Sequence, residues 1–150
     1  MNLHFLKSGE KKRLLPELEE QFGITNLPYL LLETGKEKIR GFSGTMTKDE
    51  IIELGKIANV EIIGIYLIKR EKRLRLSLDA TQILAQQIKK NIIEIEDKYL
   101  ESWLKGRNLD IVKDSGVYVI KNKEDFIGCA ISDGKKLINH IPKERRIRSN

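Results

Sequence analysis

A chain of 150 residues fits one domain, or two small ones sharing an interface, and can bury a proper core. Apolar residues make up 40% and charged residues 33%, the balance of a folded, ion-pair-rich soluble protein such as thermophiles favour, with a net charge of +6 and a pI near 9.4. No apolar run can span a bilayer, the N-terminal segment MNLHFLKSGE lacks the regions of a signal peptide, the single Cys129 cannot form an internal disulfide, and two histidines make no zinc cluster; a cytoplasmic protein with no membrane attachment, metal or cofactor is expected.

Residues 2–6 suit a short strand, and residues 8–22 a helix with Ser8 as N-cap and Gly23 as C-cap. Pro16 predicts a kink there, or two short helices, because proline removes a hydrogen bond and clashes with the preceding turn. Leu14, Leu15, Leu18 and Phe22 make one apolar face. Strands at 28–33 and 37–42 form a hairpin about Thr34 and Gly35. Thr47, followed three residues later by Glu50, is a capping box opening a helix to about Ala58, which Asn59 ends. The run EIIGIYLI, residues 61–68, has the near-continuous apolar pattern of a strand buried on both faces, with Gly64 allowing a bend or a close backbone approach.

From Arg73 the chain alternates, placing Arg73, Arg75 and Ser77 on one face of a strand and Leu74, Leu76 and Leu78 on the other. The two arginines suit a basic strip beside an RNA groove, or a strand edge kept charged against edge-to-edge pairing. Charge divides at about the same place. Residues 1–69 carry 10 Lys+Arg and 10 Asp+Glu, whereas residues 70–150 carry 18 and 12, so the entire excess lies in the second half. A local basic excess is the footprint of a polyanion-binding unit joined to a neutral one.

A helix is expected over residues 79–88, a strand at 91–95, a helix at 96–105, and strands at 109–112, 116–121, 126–132 and 135–141, with a turn at Asp133 and Gly134 and a stop at Pro142. Many short strands with two small helices imply a compact barrel-like unit. Within it the stretch LKGRNLDIVKDSGVYVIK, residues 104–121, carries Gly106 just past an apolar helical run, flanked by Lys105 and Arg107. A left-handed turn with backbone N–H groups between two cations is a candidate phosphate contact; its ordinary alternative is a helix C-cap with solvated neighbours. Cys129 reads as a small core residue.

Leu104, Gly106, Arg107, Gly116, Val119 and Gly128 occupy the places of a recurring pattern: a short helix ending in a Leu-x-Gly-Arg-like turn, a glycine before a valine-rich strand, and a Gly-containing strand. In this, residues 72–148 resemble the PUA domain, a small pseudo-barrel RNA-binding module. The ending NHIPKERRI, residues 139–147, is similar to the tail of PUA-like domains in the Sun/Fmu family of RNA cytosine-5 methyltransferases. The element order of residues 1–69 resembles the Nip-seven ribosome-biogenesis factors. The resemblance implies an α/β (α+β) chain, with an N-terminal α/β pre-PUA domain at 1–71 and a C-terminal PUA pseudo-β-barrel with short helices at 72–150, of a kind found in archaea.

It also implies RNA binding, to ribosomal RNA or tRNA, without catalysis, in ribosome biogenesis, rRNA processing or RNA modification. A methyltransferase needs a Gly-rich cofactor loop and, in the cytosine-5 class, catalytic cysteines, and the sequence has neither. The candidate phosphate ligands are Arg73, Arg75, Lys105, Arg107, Lys143, Arg145, Arg146 and Arg148, with Gly106 admitting the RNA backbone. The tail PKERRIRSN contacts RNA or is a frayed basic terminus. Asn139 and His140 match the family tail. The neutral first half docks a protein, such as an RNA-modifying enzyme or a ribosome-assembly factor, or braces the barrel. A rival reading is an adaptor subunit for an RNA-modifying enzyme such as an RNA methyltransferase, with the basic surface docking an acidic protein partner. Oligomeric state is not legible in the sequence.

Overall fold

A computed structural model describes residues 4–35, 37–42, 47–57 and 64–148. It is an α+β structure of two open sheets. The first sheet is antiparallel, in the order β1 (His4–Phe5), β2 (Leu30–Thr34), β3 (Lys38–Phe42), β4 (Ile65–Arg70) and β5 (Leu74–Leu76). The second runs β6 (Ile92–Glu94), β7 (Gly116–Asn122), β8 (Asp125–Ser132) and β9 (Leu137–Asn139), with β6 parallel to β7 and the rest antiparallel. Four α-helices are described: α1 (Ser8–Phe22), α2 (Lys48–Ile57), α3 (Leu78–Ile83) and α4 (Asp97–Leu104).

The hairpin expected at 28–42 is β2 and β3, with Leu32 opposite Arg40. Thr47 and Glu50 form the reciprocal cap of α2: the Thr47 N–H donates to the Glu50 carboxylate and the Glu50 N–H to Thr47 Oγ1, each at 3.2 Å. The stop expected at Asn59 lies outside the described residues, as do residues 61–63 of the long apolar run. Within β4, Leu67 and Ile68 are buried in succession while Ile65 is exposed, so the described strand is covered on both faces only in its middle. Gly64 has φ +78°, and a Cβ on it would lie 2.6 Å from the Gly41 carbonyl oxygen, the close approach that its place in the run suggests.

Several elements depart from expectation. Helix α1 runs through Pro16 as one helix, because Pro16 lies on its exposed side, where water can reach the Lys12 carbonyl that the proline leaves without a donor. Its N-cap is Lys7, with Ser8 already helical, and the Glu10 carboxylate accepts the Lys7 N–H at 3.2 Å. Residues 79–88 split into α3, capped by Ser77 through the Ala80 N–H, and a separate 3-10 turn at Ala85–Gln87. Residues 109–112 make a single bridge, Leu109 to Leu137, and leave Val112 73% exposed. Strand β9 is shorter than the expected 135–141. The turn before it is as read: Asp133 Oδ1 accepts the N–H groups of Lys135 and Lys136, both at 2.9 Å.

Two apolar clusters form the core. One joins Leu14, Leu18 and Phe22 of α1 and Leu74 and Leu76 of β5 to Val117, Val119, Phe126 and Cys129 of β7 and β8. The other gathers Ile93, Ile120, Ile127 and Leu137 round Trp103, whose indole N–H donates to the Ile127 carbonyl at 2.7 Å. Strand β5 lies beyond residue 71 in sequence, yet it hydrogen-bonds to β4. The two sequence units therefore share a sheet edge as well as a core.

Candidate nucleic-acid interface

The turn after α4 is closed by its own backbone. The Arg107 N–H donates to the Ser102 carbonyl at 3.0 Å and the Gly106 N–H to the Trp103 carbonyl at 2.9 Å, the paired bonds of a Schellman ending, with Gly106 at φ +86°. Both N–H groups that the sequence offered to a phosphate are thus engaged within the turn. Asn139 ties the turn to β9. Its Nδ2 donates to the carbonyls of Trp103 at 2.8 Å and Arg107 at 3.1 Å, while its Oδ1 accepts the Ile141 N–H at 2.8 Å.

The basic tail docks on this same turn. The Ile147 N–H donates to the Leu104 carbonyl at 3.0 Å, satisfying another carbonyl at the helix end. Arg146 lies across Gly106, so closely that a Cβ on the glycine would land on the Arg146 side chain, and Arg146 Nε donates to the Ile141 carbonyl at 2.9 Å. The space above Gly106, expected to admit RNA, is filled by an arginine of the same chain. Lys105 pairs with Glu101 at 2.8 Å, which holds the Glu101 carboxyl below its usual range. Arg107, Lys143 and Arg148 are exposed.

The other candidates stand elsewhere. Arg73 and Arg75 flank buried Leu74 as the alternation requires. Arg73 donates to the Ser115 carbonyl at 3.3 Å and lies over Gly116, bracing β5 against the start of β7. Arg75 Nη2 meets Glu71 at 3.1 Å, and its buried Nε has no hydrogen-bond partner among the described residues. These residues line a cleft of about 240 Å³ with Lys72, Ser115 and Ser132. Arg145 pairs with Asp79 at 2.8 Å on the rim of a separate groove. The nine predicted residues therefore fall into two main places, the end of α4 with the tail and the β5–β7 cleft, with Arg145 between the halves.

Two residues near these sites carry shifted protonation. Burial pushes the Cys129 thiol up to about 12, so the thiol is closed off as a nucleophile. Burial pushes the His140 imidazole down to about 4; Arg75 acts in the same direction and Glu71 against it. His140 Nε2 is buried and without a hydrogen-bond partner among the described residues.

Residues 90–147, the stretch that holds this turn and tail, match the family model described as the methyltransferase RsmF PUA domain. That stretch is similar to a PUA domain. The match begins after the 72 expected from the sequence and spans the helix-end turn, β6 to β9 and the tail. PUA domains as a class generally bind RNA. A conserved PUA domain protein from Thermoplasma acidophilum has the same fold, with a TM-score of 0.64 at 16% identity over 94% of both chains. A hypothetical protein from the hyperthermophilic archaeon Pyrococcus horikoshii gives a TM-score of 0.57 at 12% identity, covering 93% of this chain and 94% of the other. Both likenesses extend through the first half, so the unit preceding the matched stretch belongs to the shared fold. No curated protein matches this chain. Sequence reasoning missed the part of Asn139 in fixing the turn after α4. Its signal was the Asn-His pair in the tail pattern, which says that the residue matters without saying what it holds.

Proposed function

We propose that the chain is a non-catalytic RNA-binding protein that acts on ribosomal RNA or tRNA through its PUA domain, in ribosome biogenesis or RNA modification in the cytoplasm. The observation that carries this reading is the PUA match over residues 90–147, which falls within the half holding all the excess positive charge. The cations best placed as phosphate ligands are the exposed Arg107, Lys143 and Arg148, beside a turn whose backbone is rigid and already satisfied. Arg146 and Lys105 shape that turn. The closed-off Cys129 thiol supports a binding role over thiol chemistry. We take residues 1–71 as a pre-PUA unit and 72–150 as the RNA-binding one.

The test is affinity for ribosomal RNA fragments, tRNA and duplex DNA at several salt concentrations. Neutralising about three to five phosphates gives a slope of log K against log salt of about −2 to −5, and a preference for one RNA names the substrate class. Equal, weak binding to every polyanion would overturn the reading.

A further inference from the structure

The first half is neutral overall, but its charge is not evenly placed. Strand pairing sets Lys38 opposite Lys69 and Lys69 opposite Arg75, three cations abreast on β3, β4 and β5. Residues directly opposite in paired strands share a face and sit close, so like charges there work against the sheet. The register sets Ile39, Ile68 and Leu76, all buried, on the other face, which fixes this alignment against slipping. With strands about 4.8 Å apart, the cations form a line about 10 Å long, one that a phosphodiester chain can follow.

At its Lys38 end the line meets an open groove of about 470 Å³ between the halves, lined by Lys38, Arg40, Tyr66, Ser77, Asp79 and Arg145. The Lys38 ammonium lies 5.4 Å from the centre of the Tyr66 ring and the Arg40 guanidinium 5.9 Å from it. Arg145 reaches the groove from the PUA tail. Lys38 and Arg40 thus meet at one aromatic side chain, and Arg145, paired with Asp79, lines the same groove from the other half, an arrangement that suits a nucleic-acid strand, with phosphates on the cations and Tyr66 at a base or sugar.

We propose that the RNA path does not end at the PUA domain but crosses this groove onto the first sheet, where Lys38 and Lys69 bind consecutive backbone phosphates of one strand and Arg75, held by Glu71, closes the row. The proposal rests on the RNA-binding reading above and extends it to the first half, whose neutral total hides Lys38 and Lys69. A tRNA transcript and a ribosomal RNA fragment are the probes, titrated into the full chain, a Lys38→Glu/Lys69→Glu variant, and a Lys143→Glu/Arg148→Glu variant of the PUA side. The first-sheet variant binds about tenfold more weakly, and its salt slope is shallower by about 1.5. A Lys38→Gln/Lys69→Gln variant guards against misfolding: its far-ultraviolet circular dichroism matches the parent's, and it shows the same loss of slope. If both first-sheet variants bind like the parent while the PUA-side variant loses affinity, the inference falls and the RNA-binding reading stands. If the parent chain binds neither RNA, both fall.

Discussion

Asn139 makes three hydrogen bonds with one side chain, two to carbonyls of the α4 turn and one from the Ile141 N–H. Asn139→Ala leaves a buried N–H and a carbonyl unpaired, which costs about 2–3 kcal/mol of unfolding free energy, measured by denaturant titration. Gly106→Ala meets two penalties, a positive φ and the Arg146 side chain, together about 1–3 kcal/mol. Pairing it with Arg146→Ala removes the steric part alone, so the double variant falls short of the summed single losses. His140 gives the chain a pH response of known sign. Its imidazole has a pKa of about 4 when folded against about 6.5 when unfolded, so below pH 6.5 the unfolded chain takes up the proton first. The stability it contributes is whole above pH 6.5 and is lost as the pH falls toward 4. His140→Gln flattens stability over that window relative to the parent; an unchanged slope would show that the imidazole is not held neutral.

At the scale of elements, Pro16 is the plain test of local against tertiary preference. Helix α1 carries it because Leu14, Leu18 and Phe22 anchor both sides of it in the core. Pro16→Ala restores a hydrogen bond on the solvent face and raises stability by about 1–2 kcal/mol, less than the full helix-interior penalty because the freer unfolded chain offsets part of it. What the sequence made legible was local. The capping box and the turn at Asp133 are each written within a few residues and form as read, and the hairpin forms with Thr34, expected in its turn, paired to Lys38 as the last residue of β2. The candidate cations were legible as charges, but not as contacts. Arg146 sits over a glycine forty positions earlier in the chain, and Arg73 reaches Ser115 across a similar distance; no periodicity records such meetings. The strand expected at 109–112 failed for a related reason. Its apolar residues suit a strand, but only Leu109 has a partner, and Val112 faces solvent.

For the molecule as a whole, the question is whether the two sequence units are separable. Strand β5 belongs to the second unit by position and to the first sheet by hydrogen bonding, and it brings Leu74 and Leu76 into a cluster with α1, β7 and β8. Gln21 seals the same junction: its Nε2 donates to the Leu74 carbonyl at 3.0 Å and its Oε1 accepts the Leu74 N–H at 2.9 Å. Removing residues 1–71 would expose Val117, Val119 and Phe126 and strip β5 of its partner strand. The halves are therefore expected to unfold together. Trp103, the only tryptophan, is fully buried in the other cluster and reports that region alone, whereas far-ultraviolet circular dichroism reports both sheets. Coincident midpoints by the two probes mark one cooperative unit. A Trp103 transition separated from the dichroism would mean that the second cluster stands without the first. In that case residues 72–150 alone would keep their RNA affinity, and the shared core would serve to orient the halves instead of stabilising them.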